Sequence, residues 1–394
     1  MIIATTREDE TVETRVAITP ETAKKLVSLG AKVMVEAGAG KASGFPDADY
    51  EASGASIARS AAEALAGADA VLKLRRPSPS ELASMKKGAL VLAVMDPYGR
   101  TEELNAMAAA GIDAFAMELM PRVTRAQVMD VLSSQANLAG YRAVIDAAAE
   151  YGRALPMMMT AAGTVPAARI FIMGAGVAGL QAVATARRLG GIVTATDVRP
   201  AVKEQVESLG AKFVAVEDEE FKQAETAAGY AKEMSAAYQA KQAELVASHI
   251  AKQDIVVTTA LIPGRAAPKL VSAAMVASMR PGSVIVDLAV ERGGNVEGAK
   301  AGETVVSANG VKIVGHANMP GRLAASSSSL YAKNVLAFLE TMIDKSAKAL
   351  AVKWDDELVK ATLLTKDGAV VHPSFAPKPA EPTAAGAAPD PHSG

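Results

Sequence analysis

The sequence predicts an α/β protein of two doubly wound domains, each a mostly parallel sheet covered by helices. The chain has 394 residues, which is more than one ordinary hydrophobic core holds, so two domains are expected. Short apolar runs alternate with segments of helical periodicity, a pattern typical of parallel strands joined by crossover helices. The alternation occurs twice, once on each side of a glycine-rich segment at 174–179. Two similar sheets are therefore predicted.

Five apolar runs in the first half predict strands. Each run is short and bounded by polar or glycine-containing segments, as expected for buried parallel strands. After the first run, Thr19-Pro20 is a helix start signal, and it predicts a helix over 21–29. The predicted strands are 2–6, 31–36, 70–75, 90–95 and 113–119.

The second half repeats the pattern, and two long helical segments connect the halves. Segment 130–152 leads into the second domain and 328–343 returns to the first. We therefore expect a discontinuous first domain of 1–132 plus 322–376, a second domain of 133–321, and a cleft between them. The further predicted strands are 192–196, 212–216, 254–260, 283–289 and 312–315.

Two segments do not fit this alternation. Segment 216–240 is polar and rich in Ala, Glu and Lys, and carries Tyr230 after small residues. Its length indicates either a functional lid that folds onto a bound nucleotide or a disordered connector, with Tyr230 packing locally as the simpler interpretation. Segment 377–394 is dominated by Pro and Ala and is expected to be a disordered tail or linker.

Composition excludes several classes of protein. The net charge is −2 with acidic and basic residues interspersed, so neither nucleic acid nor an anionic membrane surface is an expected partner. Cysteine is absent, which excludes disulfides and thiol chemistry. No signal peptide or membrane span is visible, and no residues are assigned as metal ligands.

The glycine-rich segment predicts a dinucleotide site of the Rossmann type. An apolar run enters Gly174, Gly176 and Gly179, and an Ala-rich helical pattern follows. Gly174 allows a tight turn, Gly176 lets the backbone approach a pyrophosphate, and Gly179 lets the helix pack on the strand. The first helical N–H groups, including those of Val177 and Ala178, would then hold the anion.

The end of the next apolar run indicates which dinucleotide is bound. Asp197 lies 18 residues beyond Gly179, where a carboxylate accepts hydrogen bonds from the adenosine ribose and repels a 2′-phosphate. NAD(H) is therefore favoured over NADP(H). Arg199 follows after Val198 and could bind a phosphate, although we interpret it as a solvated loop charge.

A second chemically dense segment joins the last strand of the first domain to the crossover helix. It carries Arg122, Arg125, Gln127, Asp130 and Ser133, which are expected to project into the cleft. An arginine donates a planar fork to a carboxamide or carboxylate, and Asp130 could hold that fork in place. The alternative is a capped helix start with solvated charges.

Over nearly its whole length, the chain resembles the NAD(H)-binding subunit of proton-translocating nicotinamide nucleotide transhydrogenase, a relative of alanine dehydrogenase. The resemblance rests on six matching stretches, which together are specific. They are Arg15-Val-Ala-Ile-Thr-Pro20, Ala116-Met-Glu-Leu-Met-Pro-Arg122, Arg125-Ala-Gln-Val-Met-Asp-Val-Leu-Ser-Ser134, Pro156-Met-Met-Met-Thr-Ala-Ala-Gly-Thr164, Thr258-Thr-Ala-Leu-Ile-Pro-Gly264 and Gly282-Ser-Val-Ile-Val-Asp-Leu-Ala289.

The resemblance implies roles for the cleft residues. Arg122, Gln127 and Asp130 would grip the nicotinamide, Ser133 would touch its carboxamide, and a mobile loop would close with Tyr230. Further cofactor contacts would come from the matching stretch at 258–264, namely from Thr259, Ala260 and Leu261.

The resemblance also implies an activity and an assembly. The chain would pass a hydride between NADH and NADP⁺ bound on a partner component, coupled to proton translocation by a membrane-spanning channel component. It would form a homodimer in the cytoplasm, held at the inner face of the bacterial cytoplasmic membrane by its partner subunits.

Alanine dehydrogenase is the rival interpretation. An amino-acid dehydrogenase moves a proton as well as a hydride, so it needs an acid/base group and a cationic anchor for its substrate. In that relative a lysine and a histidine of the first domain serve. Here Arg75 stands where the lysine is expected, although Lys73 is close by. The first domain is expected to lack histidine, since the four histidines are His249, His316, His372 and His392, of which His316 could reach the cleft.

A third possibility is a non-catalytic module that senses NAD(H). In such a module the dinucleotide would shift a conformational equilibrium without transferring a hydride. The matches around Arg122 and Tyr230 weigh against it.

Overall fold

The fold was described from a computed structural model, which describes residues 1–222, 234–262 and 264–377. Strands and helices alternate from the first residues. The elements up to residue 116 are β1 (Ile2–Thr5), α1 (Pro20–Ser28), β2 (Lys32–Glu36), α2 (Asp47–Ala52), β3 (Ser56–Ala58), α3 (Ala61–Leu65), β4 (Ala70–Arg75), α4 (Pro79–Ser84), β5 (Leu90–Val94), α5 (Thr101–Ala109) and β6 (Asp113–Ala116).

A long helix then leads into a second series of elements. They are α6 (Val131–Glu150), β7 (Met158–Thr160), β8 (Gly163–Val165), β9 (Arg169–Met173), α7 (Val177–Arg188), β10 (Ile192–Thr196), α8 (Val202–Ser208), β11 (Lys212–Phe213), α9 (Glu219–Lys222), α10 (Ala236–Ile250), β12 (Ile255–Thr258), α11 (Ala273–Ser278), β13 (Val284–Asp287), β14 (Thr304–Val306) and β15 (Lys312–Val314).

The C-terminal elements return to the first sheet. They are α12 (Ala324–Glu340), β16 (Ile343–Asp344), β17 (Ala349–Leu350), α13 (Glu357–Thr362), β18 (Leu363–Lys366) and β19 (Ala369–Val370). Short 3-10 segments cover Lys41–Ser43, Met117–Leu119, Thr124–Met129, Val290–Arg292 and Met319–Leu323.

Two large sheets with the same topology confirm the predicted fold class. The first sheet has the order β19-β18-β6-β5-β4-β1-β2-β3, and the second has β11-β10-β9-β12-β13-β15-β14. In each, the parallel strands run outward in both directions from the first strand of the unit, β1 or β9, which pairs with parallel neighbours on both sides. The strand order reverses beside β1 and beside β9, which is where doubly wound sheets bind ligands.

Each sheet is buried on both faces. Along β4, Leu72 belongs to one hydrophobic cluster and Val71 to another, and along β12, Val257 and Val256 divide in the same way. Successive side chains of a strand point to opposite faces, so both faces are covered by helices. This explains why the central strands read as nearly continuous apolar runs.

Several predicted boundaries were wrong. The strand predicted over 113–119 ends at Ala116, because Met117–Leu119 forms a 3-10 turn that brings the Glu118 carboxylate onto the backbone N–H groups of Met95 and Asp96. The strand predicted over 212–216 is only β11. The sequence pattern also gave no sign of β3, β7, β8, β14 and β16 to β19, which are all two to four residues long.

The two predicted connecting helices are α6 and α12, and their ends differ slightly from the predictions. Asp130 is the residue that caps α6 rather than its first helical residue, and α12 begins at Ala324, four residues earlier than predicted. In segment 216–240, α9 and α10 are described, whereas 223–233 lie outside the described residues. The expected tail also lies outside them from residue 378 onward. In the described ranges of the chain, no helix is both long and apolar enough to cross a bilayer.

A close contact joins the first connecting helix to the helix of the glycine-rich segment. A Cβ added to Gly140 of α6 would lie 2.0 Å from the carbonyl oxygen of Ala178 in α7. Only a glycine allows the two helix backbones to approach this closely. The contact lies in the first turn of α7, so α6 supports the turn that the glycine-rich segment forms.

We expect Gly140→Ala to destabilise the protein, although alanine normally stabilises a helix interior relative to glycine by about 1 kcal/mol. The added methyl group must displace the Ala178 backbone, and such overpacking costs about 1–3 kcal/mol. Urea unfolding of the variant measures the change. Ala149→Gly, at an exposed position of the same helix, is the control for ordinary helix propensity. A Gly140→Ala variant more stable than the parent would contradict the close approach.

Candidate functional site

The glycines of the fingerprint form a tight turn between β9 and α7. Gly174 has a φ of 101°, a left-handed conformation that favours glycine, and a Cβ there would lie 2.4 Å from Oγ1 of Thr259. A Cβ on Gly179 would lie 1.8 Å from the Gly174 carbonyl oxygen. These two glycines are therefore required by the packing of the turn itself.

Gly176 has a different surrounding. A Cβ on this residue would meet no atom of the described chain within 4 Å. No side chain caps α7, and the first helical hydrogen bond runs from the Leu180 N–H to the Gly176 carbonyl. The N–H groups of Val177, Ala178 and Gly179 thus have no intrahelical acceptor. This uncapped end can hold an anion such as a pyrophosphate, and Gly176 leaves the backbone open to its approach.

Asp197 lies at the end of β10, beside this turn. Its carboxylate is 7% exposed, and its Oδ2 accepts a hydrogen bond from the Ala175 N–H at 2.7 Å. Asp197 therefore also holds the glycine turn against the neighbouring strand.

The interpretation of Arg199 as a solvated loop charge was wrong. Its Nε donates to Oδ1 of Asp197 at 2.9 Å and its Nη2 donates to Oδ2 at 3.0 Å, while its backbone N–H donates to Oδ1. Together with Ala175, these four hydrogen bonds use the acceptor positions of the carboxylate. A ribose hydroxyl that binds Asp197 must therefore replace the Arg199 guanidinium.

The loop after β12 lies across the fingerprint turn. The Thr259 hydroxyl donates to the Gly174 carbonyl at 3.1 Å. Ala260 is held through both of its backbone polar groups by the buried side chain of Asn295, at 3.1 and 2.9 Å, and Leu261 is 52% exposed. The structure thus brings Thr259, Ala260 and Leu261 to the carboxyl end of the second sheet.

The segment that precedes α6 is exposed and polar. Arg122 and Gln127 are exposed, and within the described chain Arg122 has no carboxylate partner, so the expectation that Asp130 holds its guanidinium was wrong. Asp130 instead caps α6, because its Oδ1 accepts from the Ser133 N–H at 2.9 Å and its Oδ2 from the Ser133 hydroxyl at 2.6 Å. Asp130 thus caps the start of α6, and its predicted contact with the nicotinamide stays a prediction.

Arg125 does not project into the cleft as expected. Its guanidinium donates to both carboxylate oxygens of Asp356, at 3.0 and 2.8 Å, and to Glu357 at 3.1 Å. This pairing lowers the pKa of Asp356, chiefly through the hydrogen bonds from Arg125. Arg125 thereby joins the segment to the start of α13.

Tyr230 lies outside the described residues, whereas the residues on either side of 223–233 are held together. The Ser235 N–H and hydroxyl donate to the Glu220 carboxylate at 2.5 and 2.7 Å. The rings of Phe221 and Tyr238 stack with centroids 6.4 Å apart. The two described ends of segment 216–240 are therefore adjacent.

The carboxyl edge of the first sheet contains buried ion pairs. Lys73 is 2% exposed, and its ammonium lies 2.8 Å from Glu81 and 3.4 Å from Glu8. Burial raises the pKa of Glu8. Glu13 is completely buried and pairs with Arg15 at 2.7 Å and with Arg75 at 3.0 Å. These lysine and arginine side chains are thus matched by carboxylates of the chain itself.

The expectation that the first domain lacks histidine was wrong. His372 follows β19 of the first sheet, where its Nε2 lies 3.3 Å from the Ala361 carbonyl and its ring packs against Phe375. His316 lies after β15, and its Nδ1 is 3.0 Å from Asp146 on α6. Asp146 also accepts from Arg142 and Arg322, so His316 belongs to an ionic group on the connecting helix.

Two asparagines that support the site were not predicted from the sequence. Asn295 holds the loop after β12, and Asn334 of α12 contacts the segment before α6. Each side chain forms these hydrogen bonds with a backbone group more than 30 residues away in sequence. No local sequence pattern could therefore reveal the partner.

Comparisons with known proteins agree with this architecture. Residues 4–139 match the family model "Alanine dehydrogenase/PNT, N-terminal domain" and residues 143–373 match "Alanine dehydrogenase/PNT, C-terminal domain". The chain is 55% identical over 380 residues to an NAD(P) transhydrogenase alpha subunit of Rhodospirillum rubrum, covering 95% of this chain and 99% of that protein.

Solved structures give the same result. The chain is similar to the crystal structure of transhydrogenase from Sinorhizobium meliloti, with a TM-score of 0.86, 62% identity, and coverage of 94% of this chain and 100% of that one. It is also similar to an L-alanine dehydrogenase structure, with a TM-score of 0.80 and 25% identity over 95% of this chain and 98% of that one. By these matches over nearly its whole length, the chain belongs to the alanine dehydrogenase/PNT family, among the transhydrogenase alpha subunits.

Proposed function

We propose that this chain is the NAD(H)-binding component of a proton-translocating transhydrogenase. The observation that carries the proposal is the uncapped first turn of α7, where Gly176 leaves the backbone open and Asp197 ends the adjacent strand. Such a turn suits a dinucleotide whose pyrophosphate meets the helix N-terminus and whose ribose meets the carboxylate. The named transhydrogenase relatives support the same assignment.

The nicotinamide end is proposed to lie between the segment before α6 and the loop after β12. Arg122 and Gln127 are exposed there and carry donors for a carboxamide. Ser133, whose hydroxyl hydrogen is directed to Asp130 at 2.6 Å, offers the lone pairs of its oxygen as acceptors. When bound, NAD(H) supplies the hydride, and the work of the chain is to orient the ring and exclude water.

The ionic groups of the first sheet argue against amino-acid dehydrogenation. An oxo-acid substrate needs a cation for its carboxylate. At this edge of the first sheet the cations are already paired, because Arg15 and Arg75 share Glu13 and Lys73 lies between Glu81 and Glu8. An incoming carboxylate would have to displace a buried internal one. Hydride exchange between two nicotinamides needs neither such an anchor nor a proton acceptor.

The assembly and the domain division also belong to the proposal. The chain is proposed to act as a homodimer with an NADP(H)-binding component and a membrane-spanning proton-channel component, at the inner face of the bacterial cytoplasmic membrane. Its domains are proposed as 1–132 plus 322–376 and 133–321. Tyr230 is proposed to close on the bound dinucleotide from segment 216–240, whose two described ends are held adjacent by Glu220 and Ser235.

We expect the chain to bind NADH more tightly than NADPH. We expect Asp197→Ala to reduce the difference between the two affinities. The substitution removes charge-assisted hydrogen bonds to the ribose, at a cost of about 1.5–3 kcal/mol. It also removes the carboxylate that faces the Arg199 guanidinium, so a 2′-phosphate placed beside Arg199 is no longer repelled. Equilibrium fluorescence titrations with NADH and NADPH measure both affinities.

The double variant Asp197→Ala/Arg199→Gln separates the role of Arg199 from that of Asp197. If Arg199 binds the 2′-phosphate, the double variant should lose the NADPH affinity that Asp197→Ala alone gains. Lys203→Gln is the matched control, because it removes a nearby cation that pairs with Glu217 instead. Equal affinities for NADH and NADPH in the unmodified chain would refute the cofactor assignment.

The chemical step gives another prediction. The chain alone should not oxidise alanine or hydroxy acids, but should support hydride transfer when a purified NADP(H)-binding transhydrogenase component is added. Gln127→Asn should slow this transfer about tenfold or more while NADH affinity changes little, because the shortened side chain misplaces the ring only in the reactive geometry. Single-turnover kinetics and NADH titration measure the two effects.

Gln205→Asn on the exposed face of α8 is the control for this experiment and should leave transfer unchanged. Pyruvate amination by the isolated chain that is lost on substitution of Lys73 or Arg75 would make the protein an amino-acid dehydrogenase. NADH binding without transfer to any acceptor would favour a sensing module.

A further inference from the structure

The side chain of Asn334 contacts two points near the proposed nicotinamide residues, one in the 3-10 turn before α6 and one in the first turn of α6. Asn334 lies on α12 and is 9% exposed. Its Nδ2 donates to the Val128 carbonyl at 2.8 Å, and its Oδ1 accepts from the Ser134 hydroxyl at 2.7 Å. Val128 directly follows Gln127, and Ser134 directly follows Ser133. The amide group of Asn334 therefore contacts the residue that follows Gln127 and the residue that follows Ser133.

The segment is otherwise held by two buried side chains and by Arg125. Between 121 and 130, only Ala126 and Met129 are buried among the described residues, and Val128 is 64% exposed. At the surface, Arg125 forms a bidentate pair with Asp356, which joins the segment to the start of α13 on the side of Arg125. The 3-10 geometry of Thr124–Met129 leaves the Val128 carbonyl dependent on a partner from outside the segment. Asn334 supplies that partner.

The helix that carries Asn334 is itself fixed to the first sheet. One turn earlier, the hydroxyl of the buried Tyr331 donates to the Lys73 carbonyl at 2.7 Å. The Ser328 hydroxyl accepts from the Val16 N–H at 3.0 Å. Asn334 therefore relates the position of the segment to β4 of the first sheet and to the loop before α1.

We propose that Asn334 is a positioning residue for hydride transfer, which fixes Gln127 and Ser133 relative to each other and to the first sheet. This inference rests on the proposed function of the segment. Asn334 acts through the Val128 carbonyl and the Ser134 hydroxyl and does not itself touch the nicotinamide. An error of about 1 Å in such a geometry costs about 100-fold in rate, so the effect should be large for a residue outside the site.

The test is Asn334→Asp, which keeps the size of the side chain and the acceptor for Ser134 but replaces the donor to Val128 by a second oxygen. Hydride transfer with the added NADP(H)-binding component should fall about 10- to 100-fold, with the NADH dissociation constant within about twofold of the parent value. Hydrogen exchange of the backbone amides in 121–134 should become faster.

Two further variants separate positioning from general destabilisation. Ser134→Ala removes the other hydrogen bond and should slow transfer less, because the carbonyl beside Gln127 keeps its donor. Asn309→Asp is the matched control, since Asn309 also donates to backbone carbonyls, those of Val276, Ala277 and Met279, but at the end of α11. It should leave transfer and the exchange of 121–134 unchanged.

The outcomes distinguish this proposal from the proposed function. Unchanged exchange of 121–134 in Asn334→Asp, or an equal loss of transfer in Asn309→Asp, would overturn the positioning role. Faster exchange with full transfer would also overturn it, because the segment would then move without consequence. If the unmodified chain itself transferred no hydride, the proposed function would fail, while the exchange data would still establish whether Asn334 holds the segment.

Discussion

The close approach of α6 and α7 at Gly140 is the constraint on which both halves of the site depend. The fingerprint turn belongs to α7, and the segment with Gln127 and Ser133 lies at the start of α6. Seven residues separate Ser133 from Gly140, which is about 10 Å along a helix. The backbones of α6 and α7 touch at Gly140 and Ala178. The distance between the fingerprint turn and the segment before α6 is therefore set by the helix α6 and by this one contact. Neither half is positioned by a flexible loop alone.

The same arrangement fits chemistry that depends on position more than on proton transfer. Asp130 is used as a helix cap, and the cations of the first sheet are matched by buried carboxylates. Taking these charges out of water is costly unless each is paired, so they are poorly available to a substrate. The side chains left exposed around the proposed nicotinamide end are Arg122 and Gln127, which carry hydrogen-bond donors. Such a site can bind and orient a nicotinamide ring. It suits a reaction that needs no proton transfer from the protein.

The sequence was sufficient for those features that local physics determines. The alternation of apolar runs and helices predicted two doubly wound sheets. The spacing of Gly174, Gly176 and Gly179 located the turn, because a side chain on Gly174 or Gly179 would clash within it. The pairing of Arg199 with Asp197 was missed, since charge and spacing alone do not distinguish a solvated arginine from a paired one. Asn334 was missed because its partners lie about 200 residues away in sequence. The strands β18 and β19, which bring His372 to the first sheet, were missed because they are too short to give a periodic signal.

The antiparallel pairing of β18 with β6 has a consequence for synthesis of the chain. The outer edge of β6, at residues 113–116, is covered by residues 363–366, about 250 residues later. During translation the second sheet can form in full before the first one is complete, and until then β6 is an edge strand with unpaired backbone groups. Exposed edges of this kind are where strands of other chains add. The first sheet is therefore completed only after the residues that form the second sheet have been synthesised.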